Sequence, residues 1–190
     1  FKQKKNKDMK KYILIFIFGI TYPVLSSAQT WPEYVTYVAI VANDSVITEG
    51  NLSSGKIISD LSWASSSSNA CFTAVQFPKF QGNHVFYGIT ITAGSIIKIK
   101  AIPFNKDEEM SLYGYMLNEK EIRLVPDLHK SINCEADYKR DRPVKGKLST
   151  NEREIEFRNP TTNTFHIIIC VSAPKGVTER KYTLIIKSVS

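Results

Sequence analysis

The sequence predicts an all-β protein, an antiparallel β-sandwich of jelly-roll-like topology. Three observations carry that expectation. Short runs rich in Val, Ile, Tyr, Phe and Thr recur along the chain. Turn chemistry separates them, at Phe80-Gln81-Gly82-Asn83, Ala93-Gly94, Asn105-Lys106-Asp107, Asn159-Pro160-Thr161-Thr162-Asn163 and Pro174-Lys175-Gly176. No stretch carries an amphipathic helical period of useful length. Many short strands between turns point to a sandwich or barrel.

Before the first strand comes a leader. Met9-Lys10-Lys11, an apolar run over residues 12–20 and the tail Val24-Leu25-Ser26-Ser27-Ala28-Gln29 have the three parts of a secretory signal peptide. Ser26 and Ala28 supply the small residues before the cut, leaving Gln29 as the mature start. The greasy run reaches at most about fourteen residues before Pro23, whereas a membrane span takes about 20. Residues 1–8 read as an upstream extension, 9–28 as the leader. The folded part is therefore expected to be secreted, periplasmic or on the cell surface, with no membrane association after signal cleavage.

Removing the leader changes the charge. The chain has 25 basic and 18 acidic side chains, a net of +7. Residues 1–28 take six lysines and one aspartate with them, leaving 19 and 17, a net of +2. A nucleic-acid binder keeps its basic excess on the folded domain, so no nucleic-acid partner is expected.

The runs then follow in order. Residues 34–42 are rich in Val, Tyr, Thr and Ile, and residues 29–69 form either an N-terminal arm or the first strands. The sandwich itself is expected over 70–190. Residues 62–69, with Ser65-Ser66-Ser67-Ser68, read as a polar linker. Further strands are expected at 72–77, 85–92, 95–102, 111–117, 154–158, 164–172 and 181–189. Within 95–102, Ile97, Ile99 and Ala101 share one face and the lysines the other; Tyr182, Leu184 and Ile186 likewise share a face. Residues 164–171 are apolar on both faces and suit the middle of a sheet. Residues 136–150 read as a long charged loop.

Read as one string, residues 85–187 have a recognisable order. Val85-Phe86-Tyr87-Gly88-Ile89-Thr90-Ile91 leads to the turn Ala93-Gly94-Ser95 and an alternating strand. Asp107-Glu108-Glu109-Met110-Ser111-Leu112-Tyr113-Gly114-Tyr115 follows. Thr164 to Ser172 and Lys181-Tyr182-Thr183-Leu184-Ile185-Ile186 close it. This order resembles the bacterial pre-peptidase C-terminal domain, a small β-sandwich appended to many secreted hydrolases. The resemblance implies a non-catalytic accessory role, such as substrate or matrix binding. That family often carries an Asp-x-Asp-type pair before its middle strand, where this chain has Met110-Ser111.

The chemistry-bearing residues are few. His84, His129 and His166 lack metal-motif spacing, and there is no Cys-x-x-Cys or Gly-x-Ser-x-Gly. Nothing supplies a nucleophile with a base and an orienting group, so no enzyme is expected. Asp107, Glu108 and Glu109 form a candidate hard-cation site, with Ca2+ the cofactor it would suit; a solvated turn is the alternative. The basic residues between Lys139 and Lys147 would suit an anionic glycan, or are a plain surface loop. Among Trp31, Trp63, Tyr113 and Tyr115, the set Trp63, Tyr113 and Tyr115 is the candidate ligand-binding group: Tyr113 and Tyr115 share a strand face and form either a sugar-stacking platform or core.

Three cysteines cannot all pair within one chain. Cys71 and Cys134 both sit in Ser/Asn/Asp-containing stretches that read as strand edges, and a Cys71–Cys134 disulfide is expected. Cys170, inside an apolar run, reads as a buried thiol. The functional expectation is a secreted binding module for a carbohydrate, matrix or protein partner. The alternative is a structural subunit that self-associates through its arm or a spare cysteine.

Overall fold

The computed structural model describes residues 31–66, 70–120, 122–128, 131–142, 145–146 and 149–190. The leader expectation over 9–28, the extension 1–8 and His129 lie outside the described residues.

The chain is all-β, with two facing sheets. One runs β1 (Val35–Tyr37), β4 (Asn83–Ile91), β9 (Phe165–Ser172), β6 (Ser111–Asn118), β7 (Asn133–Tyr138), with the two-residue β3 (Lys56–Ile57) also on β4. The other runs β2 (Ser45–Asn51), β10 (Lys181–Val189), β5 (Ile96–Pro103), β8 (Arg153–Arg158). Among the described residues only β1 against β4 is parallel. Without β1 and β3, the successive strands β4, β5 and β6 alternate between the sheets, as do β7, β8, β9 and β10. That is the jelly-roll arrangement, and it matches the expected class.

Two cores flank the larger sheet. Between the sheets pack Ile89, Ile99, Leu112, Phe157, Ile167, Ile169, Leu184 and Ile186, all fully or nearly fully buried. Period two puts these inward, as expected for β5 and β10. Inside this layer the hydroxyls of Tyr87 and Tyr182 meet at 2.9 Å. On the outer face of the same sheet lies a second, aromatic core of Phe86, Tyr113, Tyr115, Ile168 and Cys170. The segment before β4 covers it with Leu61, Trp63, Phe72 and Phe80, and Phe72 stacks on Phe80 at 4.0 Å. β9, apolar on both faces, runs through the middle of this doubly covered sheet.

The Cys71–Cys134 disulfide joins that covering segment to β7, with Cα atoms 5.4 Å apart. Cys170 is free and buried.

The local departures have physical causes. Residues 72–77 do not form a strand. Ala74–Lys79 is instead a 3-10 helix containing Pro78, which has no N–H for a ladder; the turn brings Phe72, Phe77 and Phe80 together. The polar stretch at 62–69 begins with a helical turn, α1 (Trp63–Ser66). The Asp60 carboxylate accepts the Ser62 N–H at 2.9 Å, and the Trp63 indole donates back to the Asp60 carbonyl. Strands β2, β3 and β7 were not foreseen. Within the stretch expected to be an arm or the first strands, residues 35–37 and 45–51 pair in the chain's own two sheets.

Candidate functional site

The residues that sequence reasoning favoured for binding are interior. Tyr113 and Tyr115 are 0% exposed and Trp63 6%, and their rings contact one another 5.8–6.1 Å apart. The platform reading is corrected. Tyr113 and Tyr115 do share a face, but that face lies under the covering segment and carries core.

The acidic candidates do not converge on one point. Glu109 turns to Lys139, with 2.6 Å between Oε1 and Nζ, and this ammonium holds the carboxyl below its ordinary pKa. Asp107 donates its N–H to the Asn105 side chain within an exposed turn. Among the described residues, no three His, Cys, Asp or Glu side chains come together to hold a metal ion. Two basic residues of this stretch are likewise engaged, Lys139 with Glu109 and Arg140 at 5.5 Å over the Tyr138 ring, while the acidic Asp141 pairs with Lys79 at 2.8 Å.

A buried polar constellation was also missed. The His84 Nδ1 lies 3.1 Å from the Tyr113 hydroxyl and 3.3 Å from the Cys170 sulfur. Burial pushes the thiol well above its ordinary pKa and the imidazole down to about 4. Both are therefore neutral at pH 7, and both are sealed from solvent. A reactive cysteine needs thiolate character and access, and this one has neither.

What the fold leaves open is an aromatic groove beside β1. Trp31 rests over Gly88, filling the space a β-carbon there would need. Its indole stacks on Tyr37 at 5.5 Å and meets the His166 ring edge-on at 5.1 Å. His166 is held by Thr90 at 3.2 Å, and burial lowers its pKa. Tyr34 packs edge-on against Phe86 at 6.1 Å while the Lys56 ammonium sits 4.4 Å over its ring. Tyr34 and Tyr37 remain 49% and 47% exposed. Tyr34 lines a groove of about 610 Å³ together with Pro32, Lys120, Ile122, Arg123, Leu124, Val125 and Asp127. Arg123 and Asp127, four residues apart on one wall of it, pair at 2.7 Å.

A second groove of about 710 Å³ runs between the edge strands β7 and β8, lined by Glu135, Asp137, Glu154 and Glu156 with Arg140 and Arg158. Asp137 accepts the Glu154 N–H across it at 3.0 Å. Burial, with Glu156 nearby, raises the pKa of Glu135.

No family model matches the chain, and no curated protein matches it. Solved structures match most of its length at low identity. A periplasmic inhibitor of g-type lysozyme from Aeromonas hydrophila is 10% identical with a TM-score of 0.38, over 81% of this chain and 96% of that one. The pre-peptidase C-terminal domain of Bacillus anthracis collagenase is 11% identical with a TM-score of 0.37, over 84% and 100%. A surface-associated copper-binding protein of Methylomicrobium album BG8 is 8% identical with a TM-score of 0.41, over 82% and 98%.

The groove residues escaped sequence reasoning for a physical reason. Tyr34 and Tyr37 read as ordinary strand residues, and only Trp31 was counted among candidate aromatics. Three rings between Trp31 and Tyr37 were the available signal.

Proposed function

We propose that this protein is a non-catalytic binding module of a secreted, periplasmic or surface compartment, and that it binds carbohydrate at the groove lined by Tyr34, with the exposed Tyr37 as a second ring. The observation that carries the reading is the half-exposure of Tyr34 and Tyr37 beside a polar-rimmed groove, on a sheet whose other rings are largely packed away. Flat ring faces stack on the apolar faces of sugars. Lys120, Arg123 and Asp127 supply the few oriented polar groups that fix a ligand in such a site. The Cys71–Cys134 disulfide supports an oxidising compartment. Among the described residues, no helix is long and apolar enough to cross a membrane.

A glycan array followed by calorimetry on the best hit tests this. Wild-type protein binds an oligosaccharide, and Tyr34→Ala with Tyr37→Ala removes binding while leaving the unfolding midpoint nearly unchanged. An array without hits overturns the sugar reading. So does binding that survives the double substitution.

A further inference from the structure

The smaller sheet ends in an edge that nothing among the described residues covers. Sheet edges are hazards that proteins shorten, bulge or bury. Here β1 is three residues long, and β7 and β8 lie side by side, bridged from Glu154 N–H to Asp137. β2, Ser45–Asn51, is seven residues long and pairs only with β10.

The phase of that pairing is readable. Leu52 donates its N–H to the Arg180 carbonyl at 3.0 Å, and Ser188 donates to Asp44 at 2.9 Å. In an antiparallel ladder alternate residues exchange both backbone bonds with their partner. Val46, Thr48 and Gly50 therefore bond β10, and the N–H and C=O groups of Ser45, Ile47, Glu49 and Asn51 point outward. At each end one of the two groups is already occupied by the chain itself: Asp44 Oδ1 takes the Ser45 N–H at 2.7 Å, and the Ser54 hydroxyl donates to the Asn51 carbonyl at 2.9 Å. Ile47 and Glu49 are left, with the Ile47 side chain 65% exposed.

We propose that β2 docks a second copy of this chain, antiparallel, about a two-fold axis through Thr48. The edge is self-complementary in that register. Ile47 of one copy exchanges both backbone bonds with Glu49 of the other, so the outward groups left open in the centre satisfy each other. Thr48 meets Thr48, and the exposed Ile47 side chains lie on a diagonal within reach of one another. A shift by one residue would set bonded against non-bonded positions; of the two next allowed registers, one sets Glu49 against Glu49 and the other centres on Ile47 and pairs only residues 45–49, whereas the Thr48 register pairs the whole of β2. Both ends of the strand are already held, by Asn43 to Ser190 at 3.0 Å and by Asn51 to Ser53 at 3.1 Å, so docking orders no loose segment. The interface is isologous and joins the two four-stranded sheets into one continuous sheet.

Sedimentation equilibrium on the purified protein reads the outcome. Wild type shows a reversible monomer–dimer equilibrium within the micromolar range. Because position 47 faces Glu49 of the other copy, Ile47→Lys dimerises about tenfold more tightly than Ile47→Glu, from two cross-strand charge pairs, and the difference shrinks in high salt. Both variants alter an exposed side chain, and circular dichroism confirms that each is folded. Monomer at every concentration overturns the proposal, as does a dimer in which the two charges have equal effects.

Discussion

Gly88 has no side chain because the Trp31 indole occupies the place of its β-carbon. The pair fixes where the groove begins: the glycine lets the ring approach the sheet, and the ring in turn carries Tyr37. Gly88→Ala is expected to displace Trp31, shift tryptophan emission to longer wavelength and lower stability by about 1–3 kcal/mol, the usual cost of overpacking. Trp31→Phe identifies the signal, since Trp63 is buried elsewhere. Unchanged emission in the glycine variant would show that the ring does not rest there in solution.

The Cys71–Cys134 link closes a separation of 63 residues. In the chain-entropy model a loop of that size is worth roughly 4 kcal/mol, an upper figure. Replacing both cysteines by alanine should lower the urea midpoint accordingly. Hydrogen exchange should quicken in the covering segment first and leave β5 and β10 protected. Uniform loss of protection would mean that the outer layer and the sandwich unfold as one unit.

His84 makes stability depend on pH. Its folded pKa, about 4, lies below the ordinary 6.5 because burial disfavours the charged ring. The unfolded chain thus binds the extra proton between those values, and stability rises with pH across that window. The contribution is complete above pH 6.5, is lost progressively as pH falls to about 4, and amounts to roughly 3 kcal/mol. Burial lowers the His166 pKa as well, which adds in the same direction. Urea midpoints measured from pH 7 to pH 4 should fall steeply for wild type and less steeply for His84→Phe. Equal slopes would remove His84 as the cause.

Arg153 is 4% exposed and ties three carbonyls together: Met110 at 2.7 Å, Thr150 at 2.9 Å and Glu152 at 2.7 Å. Arg153→Met leaves those oxygens short of donors and is expected to cost about 2–4 kcal/mol. Arg153→Lys should rescue little, because one ammonium cannot reproduce the guanidinium fork. A lysine variant as stable as wild type would show that charge alone suffices at this position.

The strands that were legible in sequence are those buried on at least one face. β5 and β10 alternate, and β9 is apolar throughout. β2 and β7 were not legible, because edge strands carry polar side chains such as those of Ser45-Val46-Ile47-Thr48-Glu49-Gly50 and Asn133-Cys134-Glu135-Ala136-Asp137. Period two says which residues share a face. It does not say whether that face meets water, and so Tyr113 and Tyr115 were correctly grouped while their burial stayed open. The disulfide was legible from composition around the two cysteines. The groove was not, since it arises only when residues 31–37 cross β4 and meet the segment after β6.

β10 lies between β2 and β5, although it is the last strand in chain order. A chain emerging from its N-terminus therefore reaches residue 180 with the smaller sheet still split, because β2 has nothing to pair with and β5 has only β8. Completion of that sheet is deferred until residues 181–189 are out. Up to that moment the strand has two open sides instead of one, and a nascent chain of this kind depends on a holding chaperone or on rapid completion to stay out of aggregates.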